Sequence, residues 1–480
     1  MKKLFSLVLL SALIFGIYGI WKPLPDGMNF ESRVYNVPES SVEFFYDATY
    51  LNKDGQRESK QEIFDEIFKM IKGAKKFVLL DMFLFNDFQG KKSENNRKLS
   101  SELTDLLIEK KKADTKLEII VVSDPVNTIY GGYKSPQFNK LEEAGVKIII
   151  TDLKKLRDTN PLYSGFYRAF FQWFGNKSGD GHFANPFDKT KPKVTARSYL
   201  EMINFKANHR KLIVADGEIN GKLKMATLIT SANPHDGSSA HSNSAIKIYD
   251  FIWSDAIKSE EAAGKFSGAN FTASISGVSD ESGNVKVKLL TEKKIRDNFL
   301  NLVNGLGKGD SIDMAMFYLS DRKVVEALKQ ADKNGADIRI ILDPNKDAFG
   351  REKNGIPNRP VADELFKNTK GNTEIRWCDT HGEQCHSKMT LIKNSSGYHL
   401  LLGSANLTRR NIGNYNLETD ALIENDKKVG AIKRASEFFN ETWENKGGKI
   451  YTADYKKYKD EALYKKFWYR LAEATGMSSF

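Results

Sequence analysis

Cysteine is nearly missing from this chain: its 480 residues include only Cys378 and Cys385. The two lack a CxxC spacing, and two thiols alone make a poor zinc site. No convincing metal cluster stands elsewhere, so the expected chemistry uses no metal and no cofactor. An exported chain permits a disulfide between the pair, and two separate thiols are the alternative. Histidine is scarce too, with 7 in the chain. No nucleic-acid-binding module stands out. No clear small-x-small cleavage site follows the first apolar run, which favours an anchor that is kept over a signal that is removed.

That run is the first positive feature. Met1-Lys2-Lys3 precedes apolar sequence from Leu4 to Trp21, then Lys22-Pro23. The run is just long enough to span a bilayer. The leading lysines favour a cytoplasmic N-terminus, with the remaining chain outside the cytoplasmic membrane, or secreted if the segment is cleaved. The net charge is +11, which suits polyanionic partners such as anionic lipid headgroups, nucleic acid or a phosphodiester substrate.

Strand-length apolar runs alternate with helical patterns after residue 42, the mark of an α/β unit with a largely parallel sheet. The order then recurs. Met316-Phe317 repeats Met82-Phe83, and Asp343-Pro344 repeats Asp124-Pro125 at the end of an apolar strand. The pattern divides the chain into an anchor or signal (1–21), a tether (22–41), a first lobe (42–265), a Gly/Ser-rich linker (266–283), a second lobe (284–446) and a basic amphipathic extension (447–480). The first lobe carries an insertion of about 50 residues (about 153–202) that has no counterpart in the second. Its aromatic run, Tyr163 to Phe174, reads as a satellite core, or else as an interfacial helix or a wall of an acyl-chain channel. Tyr464, Phe467, Trp468 and Tyr469, among lysines and arginines, read as a terminal helix packed on its own domain or lying on a membrane.

Two of the histidines share one arrangement. His209-Arg210-Lys211 is followed by Ser231-Ala232-Asn233, and His386-Ser387-Lys388 by Gly403-Ser404-Ala405-Asn406. In each copy two apolar segments joined by a turn separate the His-x-Lys from the Ser-x-Asn, so each reads as a β-hairpin with polar groups at its ends. Facing each other, the copies would supply what phosphoryl transfer needs. One imidazole attacks phosphorus, the other protonates the leaving oxygen, and Lys211, Lys388, Asn233 and Asn406 hold the non-bridging oxygens.

These paired motifs, with Asp216 five residues after Lys211, resemble the HxK(x)4D…GSxN motifs of the phospholipase D superfamily. The resemblance implies two homologous α/β/α sandwich lobes related by a pseudo-two-fold axis, with the active site at their interface. It also implies a two-step route through a phosphohistidine, with His209 the expected nucleophile and His386 the general acid. The layout is nearest to bacterial phospholipase D-like and cardiolipin synthase-like proteins. Asp216 and Ser231 are then structural supports. Lys393 stands where the second copy should have its aspartate. Glu418, twelve residues after Asn406, is where the family often places an acid that orients a histidine. The same count in the first lobe reaches Ala245, so Glu418 serves one histidine only, and His386 is expected to be the better supported. The expected partners are phospholipid and a membrane surface, with no obligate protein partner. A surface nuclease and a catalytically degenerate binding protein are the alternatives.

Overall fold

The computed structural model describes residues 1–90, 96–219, 222–273, 282–348, 351–368 and 371–478. Two large mixed sheets organise it. One has eight strands, in the order Arg57–Lys60, Val42–Leu51, Asn243–Tyr249, Lys222–Thr230, Lys211–Ile219, Phe77–Met82, Glu118–Ser123, Lys147–Ile150. The other has nine: Tyr35–Val37, Val285–Thr291, Thr419–Asn425, Gly397–Gly403, Lys388–Asn394, Ser311–Met316, Asp337–Leu342, Thr373–Cys378, Thr452–Asp454. In each sheet three consecutive strands run parallel, and the histidine-bearing hairpin joins them antiparallel. The sheets are therefore mixed, not largely parallel, because a two-strand hairpin can only pair antiparallel.

Why the strands read as near-continuous apolar runs is clear from which core each residue enters. Phe77 and Leu79 point into a core shared by both sheets, while Val78, Leu80 and Met82 point to the first lobe's own helices. Ile341 of the second sheet faces the shared core, and Ile340 and Leu342 face the outer one. Both faces are dry, so both alternations must be apolar. Each such buried Leu or Ile stabilises the fold by about 1.5–3 kcal/mol relative to an exposed one. Helices Trp253–Phe266 and Gly430–Glu444 also contribute to the shared core. There Tyr46 stacks on Phe438 with ring centroids 4.3 Å apart, directly across the lobe junction. The two α/β lobes thus form one body around a common apolar layer.

Two expectations need correction. The stretch 22–41 is not a plain tether: Tyr35–Val37 pairs antiparallel with Val285–Val287 and extends the second sheet. Tyr35 and Val37 alternate inward with the exposed Asn36 between them, as a half-buried edge strand requires. The extension from 447 likewise begins by joining that sheet, through Thr452–Asp454 against Arg376–Cys378. Of the linker 266–283, residues 274–281 lie outside the described residues. Cys378 and Cys385 form a disulfide, which ties the end of one strand to the approach to His386.

Lys393 has a local explanation. In the first lobe Asp216 accepts backbone N–H groups from Lys76 at 3.0 Å and Phe77 at 2.8 Å, and from Lys75, capping the turn that enters a central strand. The equivalent turn in the second lobe closes on itself, Gly307 N–H donating to Asp310 at 2.9 Å. Its unfilled group is a carbonyl, and Lys393 Nζ reaches Gly309 O at 3.5 Å. An acceptor was replaced by a donor because the turn changed which backbone group it leaves open.

Candidate active site

Both histidines sit at the entrance of a hairpin, and each is held by the opposite lobe. His209 N–H donates to Leu417 O at 2.9 Å, and His386 N–H donates to Ser242 O at 2.7 Å. The preceding residues are fixed in parallel fashion. Asn208 N–H donates to Asp124 at 2.7 Å and Cys385 N–H to Asp343 at 2.8 Å, using the aspartates that end equivalent strands. Lys211 Nζ donates to His209 O at 2.7 Å and Lys388 Nζ to His386 O at 2.8 Å. Phe83 and Phe317 each lie 4.8 Å, ring to ring, from their histidine and about as close to its lysine. The pseudo-two-fold relation therefore extends to individual hydrogen bonds.

That relation identifies the true counterpart of Glu418. Leu417 matches Ser242, so Glu418 matches Asn243; the segment after Asn233 is two residues shorter than the one after Asn406, and equal counting overshoots to Ala245. Each counterpart reaches across the junction. Glu418 accepts from His209 Nδ1 at 2.9 Å, and Asn243 Oδ1 accepts from His386 Nδ1 at 3.2 Å. The expectation that His386 is the better-supported histidine is thus reversed: the acid of the second lobe serves the histidine of the first, because the strands exchange partners across the interface. Ser404 Oγ donates to Glu418 at 2.5 Å, and Ser231 Oγ donates to Asn243 at 3.0 Å. Asn411 Nδ2 adds a further donor to Glu418. Asn243 Nδ2 donates to His241 O at 3.0 Å, which leaves its Oδ1 as the acceptor and puts the His386 proton on Nδ1. In both rings Nε2 is then the nitrogen available for chemistry.

Electrostatics follow from crowding cations in a dry site. Burial, helped by Lys211, Lys388 and Arg410, holds the His209 imidazole well below its usual range. Burial together with Lys388, His241, Lys211 and His209 does the same for His386. Burial brings Lys211 down to about 7, and burial with Lys211 beside it brings Lys388 well below its ordinary value. Glu418 is pushed up by burial, against the pull of Lys211, Asn411 and Ser404. The empty site thus favours neutral forms, and a bound anion restores charge to the lysines. Asn233 Oδ1 accepts Leu84 N–H at 3.1 Å, which leaves its amide NH2 to donate elsewhere. Asn406 is buried in the second lobe at the matching place.

All eight candidate catalytic residues, His209, Lys211, Asn233, His386, Lys388, Ser404, Asn406 and Glu418, are buried. Asp216 stands apart, beneath the strand entrance, and Ser231 lies behind Asn243. Asn243, Asn411, Phe83 and Phe317 escaped the sequence reading, although the repeat of Met82-Phe83 in Met316-Phe317 was a usable signal. So did Arg210, fully buried between Glu260 at 2.9 Å and Glu292 at 2.8 Å.

Residues 302–443 match the family model described as cardiolipin synthase, PLD-like domain. That match falls on the half of the chain that carries His386, Lys388, Asn406 and Glu418, and the first lobe repeats its architecture. The second lobe is thus similar to the PLD-like domain of cardiolipin synthase. A shared fold extends over nearly the whole length: phosphatidylserine synthase from Haemophilus influenzae superposes with a TM-score of 0.53 at 12% identity, over 92% of this chain and 94% of that one. Polyphosphate kinase from Porphyromonas gingivalis gives a TM-score of 0.43 at 12% identity, over 85% of this chain and 49% of its own. A phospholipase D family member from Salmonella typhimurium gives 0.26 at 18% identity, over 35% and 99%. A search of curated proteins returned no match.

Proposed function

We propose that this protein is a phospholipase D superfamily member that cleaves or exchanges the phosphodiester of a phospholipid through a phosphohistidine, using one composite site per chain. The observation that carries the reading is the reciprocal support of the two histidines, a carboxylate on one and a neutral amide on the other. In the first step His209 Nε2 attacks phosphorus in line. The P–N bond forms, the P–O bond to the leaving alcohol breaks, and His386 gives its Nε2 proton to the departing oxygen. In the second, His386 takes a proton from water or an alcohol, the new P–O bond forms, and His209 leaves. Lys211, Lys388, Asn233 and Asn406 stabilise the charge on the non-bridging oxygens in both steps.

The unequal partners support this division. Glu418 holds the His209 tautomer and stabilises the positive ring formed when Nε2 bonds to phosphorus. Asn243 fixes His386 without a charge, so the protonated ring stays acidic enough to give up its proton. Phospholipid is favoured by the family description of the second lobe and by the 20-residue apolar N-terminal helix, long enough to cross a membrane. We place the catalytic region on the extracytoplasmic side of that helix.

The test is direct. The full chain is given phosphatidylglycerol vesicles and, separately, single-stranded DNA, and quenched early in turnover. Lipid turnover abolished by His386→Ala, with phosphate recovered on the peptide containing His209, is the expected result. DNA cleavage with inert lipid would instead establish a nuclease, inertness toward both a binding protein, and label on His386 would reverse the two roles.

A further inference from the structure

The N-terminal helix (Lys2–Trp21) does not stand away from the catalytic body. It packs along the aromatic helix of the insertion (Pro161–Phe170), and the contact is made by residues without bulk. A Cβ on Gly16 would lie 2.9 Å from Pro161 O, and one on Gly165 would lie 2.8 Å from Gly16 N and collide with Ala12 O. A Cβ on Gly19 would run into the Asp158 carboxylate. Residues 19, 16 and 12 thus meet 158, 161 and 165 in reverse order, an antiparallel pair in backbone contact. Small residues that let helix backbones meet are the means by which helices associate in lipid.

The aromatic helix is in turn wired to the first catalytic segment. Asp158 is held by Arg168 Nη2 at 2.9 Å and by Lys206 Nζ at 2.8 Å, and Lys206 lies three residues before His209. The C-terminal helix (Leu463–Thr475) is wired to the second. Glu473 accepts Arg409 N–H at 2.8 Å and Ser320 Oγ–H at 2.9 Å, and Arg409 lies three residues after Asn406. The residues flanking the two helices also meet: Gly476, just past the C-terminal helix and at φ +72°, lies so close to Thr159 O, just before the aromatic helix, that no Cβ would fit. Both keep large apolar groups in the open. Leu162 is 73% exposed and Leu463 78%, with Trp173, Phe174, Phe467 and Trp468 exposed beside them. In the C-terminal helix positions 463, 464, 467, 468 and 471 form one stripe at helical spacing, flanked by Arg470 and partly exposed Lys465 and Lys466.

We infer that these two helices, gathered at the base of the N-terminal helix, are a lipid-seated collar that holds the mouth of the catalytic cleft on the bilayer surface. A bilayer is the occupant that fits. The stripes border a helix able to span one, and they combine tryptophan and tyrosine with lysine and arginine, the composition of the membrane–water interface. Phospholipid then enters from the membrane with its headgroup between the two histidines. The lipid contact stands without the catalytic reading; the role in substrate delivery rests on it.

The experiment uses the full chain in phosphatidylcholine–phosphatidylglycerol vesicles whose acyl chains carry bromine near the carbonyl. Tryptophan emission is compared between Trp21→Phe and the same chain with Trp173→Phe and Trp468→Phe added. Trp253 and Trp377 are buried and Trp443 is partly buried against the shared core, and all three report the folded body in both. Quenching in Trp21→Phe, reduced at least about twofold by the added changes, is expected for interfacial side chains. Equal quenching in the two chains, or two stripes covered by a second copy in a detergent-stable dimer, would overturn the collar. A second arm replaces Trp173, Phe467 and Trp468 by Ser and compares turnover of vesicles with that of a soluble short-chain diester. The ratio of vesicle to soluble kcat/KM should fall about tenfold, the scale on which lost apolar area weakens surface binding. A ratio that does not move also overturns the delivery role. Bromine quenching without any lipid turnover would remove the phospholipid reading and leave the collar.

Discussion

Glu418 of the second lobe accepts from His209 Nδ1 of the first at 2.9 Å, so the better-polarised imidazole and its acid come from different halves of a duplicated structure. The reciprocal contact, Asn243 to His386 at 3.2 Å, has the same geometry and no charge. Duplication supplied two similar hairpins, and one carboxylate made them unequal.

Replacing Glu418 by Gln keeps the shape and removes the charge that balances a positive His209 ring. Loss of the orienting acid in a comparable triad costs up to about 10⁴ in kcat. We expect a fall of at least about 10²-fold, measured as single-turnover phosphohistidine formation on a soluble diester. Formation at the native rate would show that Glu418 is only a packing residue.

Asn243→Asp should make the halves alike. A carboxylate on His386 Nδ1 raises that ring's affinity for its proton by about one pKa unit or more. In the proposed first step His386 is protonated, so activity should be lost as pH rises through its pKa. The alkaline limb of kcat/KM should therefore move to higher pH, while the acidic limb, set by His209, stays. An unmoved alkaline limb would separate His386 from the proton transfer.

Anion binding should take up protons. Lys211 sits at about 7 and Lys388 well below its ordinary value in the empty site, and a bound anion raises both. The gain is complete at pH below the empty-site values and is lost as pH rises through the raised, anion-bound ones. Sulfate, whose charge is constant across this range, should bind about tenfold or more weakly at pH 8.5 than at pH 6. Calorimetry in buffers of different ionisation enthalpy should register proton uptake near neutrality; identical heats would contradict it.

Arg210→Met tests the lobe junction without touching the chemistry. The guanidinium bridges buried Glu260 and Glu292, and removing it strands two carboxylates, at about 3–5 kcal/mol. Asp216→Ala should cost about 1–3 kcal/mol through its unpaired N–H partners. Lys393→Ala, at an exposed site, should stay within about 0.5 kcal/mol. Urea unfolding of the three variants ranks them, and an effect of Lys393→Ala as large as that of Asp216→Ala would refute the exchange of acceptor for donor.

Much of this was legible in residue order. The doubled His-x-Lys and Ser-x-Asn, the hairpins between them, the alternation of strands and helices and the apolar first helix are local patterns, set by side-chain periodicity and turn chemistry along one stretch of chain. Equal counting from Asn406 to Glu418 and from Asn233 to Ala245 failed because loop length is not conserved between lobes, whereas hydrogen-bond register is. Pairing across the junction belongs to no single stretch. Which histidine receives Glu418, that Arg210 joins Glu260 to Glu292, and that Asp158 and Glu473 tie two exposed apolar helices to the catalytic segments are all contacts between residues far apart in sequence. Sequence alone determined the candidate reacting groups, because their chemistry is written in residue types. Only the packing of one sheet against the other decided how those groups pair, because that depends on which side chains the shared core brings within hydrogen-bond reach.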